Sequence, residues 1–551
     1  MKNTRKICTI SHIFSCIFLF LPYFNPIGFK LICIGLSKSC VGVVTKGFQK
    51  WLLCGIIKLE GGHSIMAKAK TMGQVFTPSK IVHMMLDRME YVGSDILGKY
   101  ILEPSFGDGA FLVEMVQRYL SVSAQNGIPK EQVLQDLDRC FYGVELDPVY
   151  YTQTKDRLNA LLCSYGYSSI PWSHLYQEDF LSVNLPKDFF DFVIGNPPYV
   201  RIHHLTEMQR TQLKSYSFTK GTTDLYVAFF EKGISLMSSY GTLLFITPNA
   251  WMKNVSQKPM REYLLKHNLL SFICDFQSFP VFDVHTYVAI TCLKKQQTDT
   301  SFTYECWKET KQYETTIDPT TLNSDPWMFG TKADMEFLNF IQNQPKEQTD
   351  LKAQFGVVTN CDQVYIGLLE PMKKNLVKFH GEIIEKDLLK PAYKASTYKG
   401  DGSHTWILFP YMWNGSTYEV ISESRLEKSY PYTYAYLCKH KEQLSQRNME
   451  KGLPWYAFGR SQGIQETGKK KLIFSHIFSE DQESFVFYEL PADSIVYSGI
   501  FLTGSDLLKW KQKLESKEFM RYCKLSGKDM HGGYKSIGSK QIKQYVGGKK
   551  K

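Results

Sequence analysis

Asn196, Pro197, Pro198 and Tyr199 stand in a row directly after an apolar run, Phe189-Phe190-Asp191-Phe192-Val193-Ile194-Gly195. Two prolines cannot continue a buried strand, so the run ends there. In a parallel α/β sheet, ligands bind just past the carboxyl ends of the strands, and this tip carries an amide, a stiffened backbone and an aromatic ring. That set suits one chemical task. The exocyclic amino group of a nucleobase is a poor nucleophile, because its lone pair is delocalised into the ring. The Asn196 side-chain oxygen and the Pro197 carbonyl would accept its two N–H bonds, favouring a more tetrahedral nitrogen whose lone pair points at an electrophilic methyl group. The proline ring fixes φ and holds that carbonyl in place. Tyr199 would stack on the base, which must leave its duplex to reach such a pocket. A plain strand-to-turn junction uses the same residue types, so the tetrad needs support from the rest of the chain.

The elements that would position it are legible upstream. Thr77-Pro78 precedes apolar residues at helical spacing over 81–89, with Thr77 read as N-cap and Pro78 as first helical residue. Free donors at such a helix start would receive a carboxylate. Tyr100-Ile101-Leu102-Glu103-Pro104-Ser105-Phe106-Gly107-Asp108-Gly109, with a helix after it, reads as strand, glycine turn, helix. Gly107 and Gly109 let a backbone approach a ligand, but the third glycine of the dinucleotide fingerprint is missing and no Walker lysine follows, which disfavours a nicotinamide or a triphosphate. Glu103 would bind an amino group or water. A second strand, 141–146, ends at Glu145 and Asp147, where an acid chelates a ribose diol. A third, 172–177, leads to Glu178-Asp179-Phe180, with Asp179 placed to accept from an adenine amino group and Phe180 to cover the ring. Further strands are read at 242–247, 269–276 and 286–293, around an apolar helix over 223–239.

The 551 residues are 43 % hydrophobic and 14 % aromatic, enough for two or three cored domains. Five of thirteen cysteines precede residue 66 and the other eight form no Cys-x-x-Cys pair, which argues for reduced thiols in a cytoplasmic protein and against structural zinc. Residues 1–65 contain a greasy stretch broken by Pro22, Pro26 and Lys30. They read as an upstream extension ahead of a natural start at Met66, the rival being a hydrophobic leader or membrane anchor. Charge divides the rest. Residues 66–351 carry 26 basic and 32 acidic side chains, residues 352–551 carry 31 and 21. A basic module appended to an acidic catalytic one fits an enzyme that binds a polyanion.

In order along the chain, Phe76-Thr77-Pro78, Glu103 to Gly109, Glu145-Leu146-Asp147, Glu178-Asp179-Phe180 and Asn196 to Tyr199 resemble the gamma-class, TaqI-like adenine-N6 DNA methyltransferases of type II restriction–modification systems. The resemblance covers roughly residues 72–293 closely and the carboxyl half more loosely. It implies a Rossmann-like α/β sheet of seven mostly parallel strands binding S-adenosylmethionine over 66–297, a connector at 298–350, and a mixed α/β DNA-recognition domain at 351–551. It implies that the methionine part of the cofactor lies near Thr77, Glu103 and Ser105, the ribose on Glu145, and the adenine against Asp179 and Phe180, with Gly107 and Asn196 also binding the cofactor. Tyr199 and Phe282 would flank the target base, Phe279 being the near neighbour of the latter.

In the carboxyl half, rings, amides and bases interleave as on nucleic-acid surfaces. Arg460 and Gln462 are read as contacting base edges, and Lys469, Lys470 and Lys471 as contacting phosphates, with a flexible basic tail at 540–551. Expected partners are duplex DNA and a separately encoded endonuclease; the protein is expected to be a metal-free monomer off the membrane. Three rivals stand beside this reading: an N-methyltransferase acting on a protein glutamine or on RNA, which shares Asn-Pro-Pro-Tyr; a non-catalytic DNA-binding subunit; and a fused restriction–modification enzyme. For the last, Asp299 with Glu309 and Lys311, and Asp506 with Glu515 and Lys517, are loose Asp…Glu-x-Lys matches.

Overall fold

The computed structural model describes residues 75–547, apart from residues 222, 278, 283–285, 308–311, 346, 348, 373 and 531–532. All of them fall in one compact unit, Gly73–Lys551. The extension at 1–65 and the start at Met66 lie outside the described residues.

The catalytic half alternates helix and strand: α1 (Ser79–Arg88), β1 (Ile101–Glu103), α2 (Ala110–Gln125), α3 (Lys130–Cys140), β2 (Phe141–Val144), α4 (Pro148–Ser164), β3 (Leu175–Tyr176), β4 (Phe190–Gly195), α5 (Glu207–Leu213), α6 (Tyr226–Leu236), β5 (Met237–Pro248), α7 (Lys258–Lys266), β6 (Leu270–Asp275) and β7 (Val288–Lys294). The sheet order is β3-β2-β1-β4-β5-β7-β6. Strands β1 to β5 pair in parallel, whereas β7 runs antiparallel to both β5 and β6. Both faces are covered, and alternate side chains of each strand go to opposite sides. Ile101, Ile194, Leu244 and Ile246 join the core under α1 to α4, while Leu102, Val193, Leu243 and Phe245 join the one under α6 and α7. The expected Rossmann-like sheet is therefore present.

Two further strands extend it. The stretch expected to be a connector folds into β8 (Phe302–Trp307) and β9 (Gln312–Ile317), which continue the order past β6 as β8-β9. It then forms α8 (Lys332–Asn343), whose Leu338 and Ile341 enter the core of the carboxyl half beside Trp510, Phe519 and Ile542. The bidentate pair between Arg88 and the buried Glu305 ties β8 back to α1.

The carboxyl half is built of small sheets with helices. One runs Lys352–Phe355, Ile500–Thr503, Lys471–Phe474, Tyr488–Leu490; a second runs Ile366–Gly367, Thr405–Leu408, Leu389–Lys394, Ile495–Ser498. A hairpin, Lys528–Met530 with Tyr534–Ser536, returns to the catalytic half, where Asp529 meets Lys253. The tail expected to be flexible forms a helix instead, Ser539–Val546, because Ile542, Tyr545 and Val546 make one apolar face and are buried.

Candidate functional site

Each predicted acid stands at or just beyond a strand end, Glu103 as the last residue of β1, and the strand ends converge. One cleft, open to solvent, is lined by Thr77, Glu103, Ser105, Gly107, Glu145, Asn196 and Pro198 among others. A second is lined by Glu178, Asp179, Phe180, Gln209 and Gln212. Ser105 and Pro198 line both, so the two adjoin across the tip of β4.

The glycine turn is shaped by its backbone. Gly107 and Gly109 have φ of 48° and 76°. A Cβ on Gly109 would lie 2.4 Å from Thr154 Cγ2, and Thr154 Oγ1 donates to the Gly107 carbonyl at 3.0 Å. Gly109→Ala is expected to cost about 1–3 kcal/mol of stability from backbone strain alone, plus the clash. Chemical denaturation checks this, and Gly109→Ala with Thr154→Ser should recover only the part due to the lost Cγ2 contact, since Thr154 Oγ1 would lie 2.9 Å from the new Cβ.

Glu103 is fully buried and accepts the Leu112 N–H at 3.1 Å. Burial, with Asp108 nearby, pushes its carboxyl well above the usual range. An ammonium group arriving in the cavity would favour its charged form. Glu145 accepts N–H bonds from Gly107 and Asp147, both at 2.8 Å. Burial raises its carboxyl and these two bonds oppose the rise. Asp179 takes bonds from Leu181 N, Ser182 Oγ and Gln212 Nε2, while Phe180 packs on Phe229 with ring centroids 4.9 Å apart.

Thr77 departs from its predicted role. The helix starts at Ser79, Pro78 holds the cap position, and the Thr77 hydroxyl instead accepts from Asn196 Nδ2 at 3.1 Å. The same Nδ2 donates to the Val75 carbonyl at 2.7 Å. Both amide hydrogens are therefore engaged from behind. Asn196 Oδ1 is buried and has no partner among the described residues. An acceptor left bare in this way costs free energy unless something fills it, so it marks the place of a donor.

Tyr199 donates to the Ile246 carbonyl at 3.3 Å, and its ring meets Phe282 edge to face, with centroids 6.4 Å apart at 65°. Phe279 lies elsewhere, against Phe276 and Trp307. As they stand, Tyr199 and Phe282 pack on each other, and a base stacked on Tyr199 requires one ring to turn.

The polar residues of the carboxyl half separate. Arg460 and Lys470 are exposed. Gln462 donates its amide to the Gly356 carbonyl at 2.8 Å, and Lys469 pairs with Glu466 at 2.9 Å. Lys471 is corrected: it is buried in a strand, donates to the carbonyls of Lys469 and Ala492, and burial pushes its ammonium down to about 8, so no phosphate reaches it. The loose nuclease match at Asp506 also disperses, since Asp506 caps a helix, Glu515 accepts from Phe487 N and Lys517 pairs with Glu483. Glu309 and Lys311 of the other match lie outside the described residues. Sequence reading missed Val75, which acts through its backbone, and Gln209 and Gln212, which reach the second cavity from a helix far along the chain.

The strand order with its reversed β7, and a cleft at the tips of β1, β2 and β4, define the Rossmann-like methyltransferase fold. Residues 168–282 match the model of the Eco57I restriction-modification methylase family. It is 27 % identical over 431 residues to the type II methyltransferase M.BstVI of Geobacillus stearothermophilus, covering 70 % of this chain and 73 % of that one. It is also 27 % identical over 416 residues to M.PaeR7I of Pseudomonas aeruginosa, covering 70 % of each. Among solved structures it resembles the Type IIL restriction-modification enzyme MmeI in complex with DNA, with a TM-score of 0.55 at 13 % identity, over 84 % of this chain and 65 % of that one.

Proposed function

We propose that the protein is a DNA methyltransferase that transfers the methyl group of S-adenosylmethionine to N6 of an adenine extruded from a specific duplex site. The observation that carries this reading is the bare, buried Asn196 Oδ1 at the edge of a cleft running on to Glu103 and Glu145. S-adenosylmethionine, when bound, supplies a methyl on a positively charged sulfur. The residues present fit it: a buried carboxyl at Glu103 for the amino group, Glu145 for the ribose, and a second cavity with Asp179 and Phe180 for the adenine. Val75 and Thr77 pin the Asn196 amide so that its oxygen faces the incoming amine. Oδ1 and the Pro197 carbonyl would accept the two N–H bonds and concentrate the nitrogen lone pair away from the ring. Tyr199, with Phe282 turned aside, would carry the base by stacking.

The restriction-modification names of the relatives support DNA as the acceptor and protection of host DNA as the role. A cytoplasmic monomer, working with a separately encoded endonuclease, completes the reading. Among the described residues no helix is long and apolar enough to cross a membrane. The test uses S-adenosylmethionine with a labelled methyl group and plasmid DNA from a host lacking adenine methylation. Labelled N6-methyladenine at one recurring sequence is expected. Label in RNA or in protein, with none in DNA, would overturn the reading.

A further inference from the structure

Immediately after Tyr199 the chain does something unlike the rest of its half. Residues 66–351 are acidic on balance, yet residues 201–221 carry four basic side chains, Arg201, Arg210, Lys214 and Lys220, against the single acid Glu207. The segment is well fixed. Leu205, Leu213 and Phe218 are buried in the core beneath α6 and α7. A capping box of Thr206 and Gln209 starts α5. The helix then divides its faces between two tasks. Gln209 and Gln212 point to the second cavity, where Gln212 Nε2 bonds Asp179 Oδ2 at 3.0 Å and Ser182 Oγ at 2.8 Å. Arg210 and Thr211 turn the other way and, with Lys214 at the carboxyl cap, Lys220 beyond it and the one acid Glu207, line an open groove. Arg210 is steadied by the bond from its Nε to the Leu205 carbonyl at 3.0 Å, and Lys214 and Lys220 are exposed.

We infer that this groove holds the phosphate backbone of duplex DNA beside the extruded base, so that the catalytic half grips its substrate through Arg210, Lys214 and Lys220 independently of the carboxyl half. The inference rests on the function proposed above and adds a surface to it. Arg210 on a short helix whose Gln212 bonds Asp179, with Lys214 and Lys220 after it in the segment that follows Tyr199, would meet the strand close to where the base leaves the stack. Such contacts position a duplex without reading its sequence.

The test compares wild type with Lys214→Ala/Lys220→Ala and Lys214→Glu/Lys220→Glu, titrated with a fluorescent duplex bearing the mapped site across a range of salt. Binding of S-adenosylhomocysteine without DNA, unchanged in both variants, reports an intact fold and cofactor cavity. The alanine pair should weaken duplex binding about tenfold and lower the slope of log K against log salt by about 0.9 for each phosphate no longer neutralised, and the glutamate pair should weaken binding further. If wild type neither binds nor methylates the duplex, the functional reading itself fails. If wild type does both and the variants keep its affinity and slope, the groove does not touch DNA and this inference alone is overturned.

Discussion

Asn196→Ala is expected to lose methyl transfer by at least ~10²–10³-fold while the affinity for S-adenosylmethionine changes by less than about tenfold. The asymmetry follows from where the side chain is tied. Its nitrogen is spent on the Val75 carbonyl and Thr77 hydroxyl, and only its oxygen is left for a ligand. On the proposed reading, removing the side chain would take away an acceptor that matters most as the amine becomes tetrahedral, whereas the cofactor would keep Glu103, Glu145 and the second cavity. Asn196→Asp sharpens the point. A carboxylate keeps the outward acceptor but has no hydrogens for Val75 and Thr77, so it would face a carbonyl oxygen at close range and turn away. Loss in both variants, with calorimetric cofactor binding retained, is the expected pattern. Full activity in Asn196→Ala would leave the proposed chemistry without its central group.

The reason so much of this site is legible in the sequence is that its groups sit where backbone geometry leaves few choices. The prolines after Gly195 force a strand end, and Glu145 follows β2 at once. A glycine at 109 is demanded by a positive φ and by Thr154. Other parts carry no such mark. The grip on Asn196 comes partly from the Val75 carbonyl, and a backbone atom has no residue type to read. The β8–β9 hairpin reads as a connector because β9 is an edge strand, Gln-Tyr-Glu-Thr-Thr-Ile, with only Thr315 and Ile317 buried, so its alternation is diluted by exposed polar groups. Lys471 shows the opposite error. Three consecutive lysines look like a surface run, but the strand from Lys471 to Phe474 is buried throughout, and composition says nothing about which way a side chain turns.

The closed pairing of Tyr199 with Phe282 also bears on mechanism. Phe282 lies beside the segment 283–285, outside the described residues, and Tyr287 soon after it donates to the Met530 carbonyl of the carboxyl-half hairpin. If a base stacks on Tyr199 as proposed, the ring that must turn stands a few residues before a contact with the part of the chain proposed to read DNA.

That hairpin is held by charge, and Asp529→Ala is expected to destabilise the protein by about 3–5 kcal/mol. Asp529 meets Lys253 of the catalytic half at 2.9 Å and Lys535 of its own hairpin at 2.8 Å, and the Lys535 side chain is almost wholly buried. Burial alone would raise the Asp529 carboxyl; the two ammonium groups outweigh it and hold the carboxyl far below the usual range. A carboxyl depressed on folding contributes stability that is fully present above its unfolded pKa of about 4 and is lost as pH falls through the lower folded value. Replacing it leaves two ammonium groups facing each other with little solvent between them. Urea denaturation at neutral pH should therefore show the full deficit, and the gap between wild type and variant should narrow as the pH drops below about 4. Asp529→Asn keeps the shape and removes only the charge, so an equal deficit there assigns the loss to the ion pairs rather than to packing. A variant as stable as wild type at neutral pH would mean that the lysines find water instead, and that the hairpin is held by something other than this carboxylate.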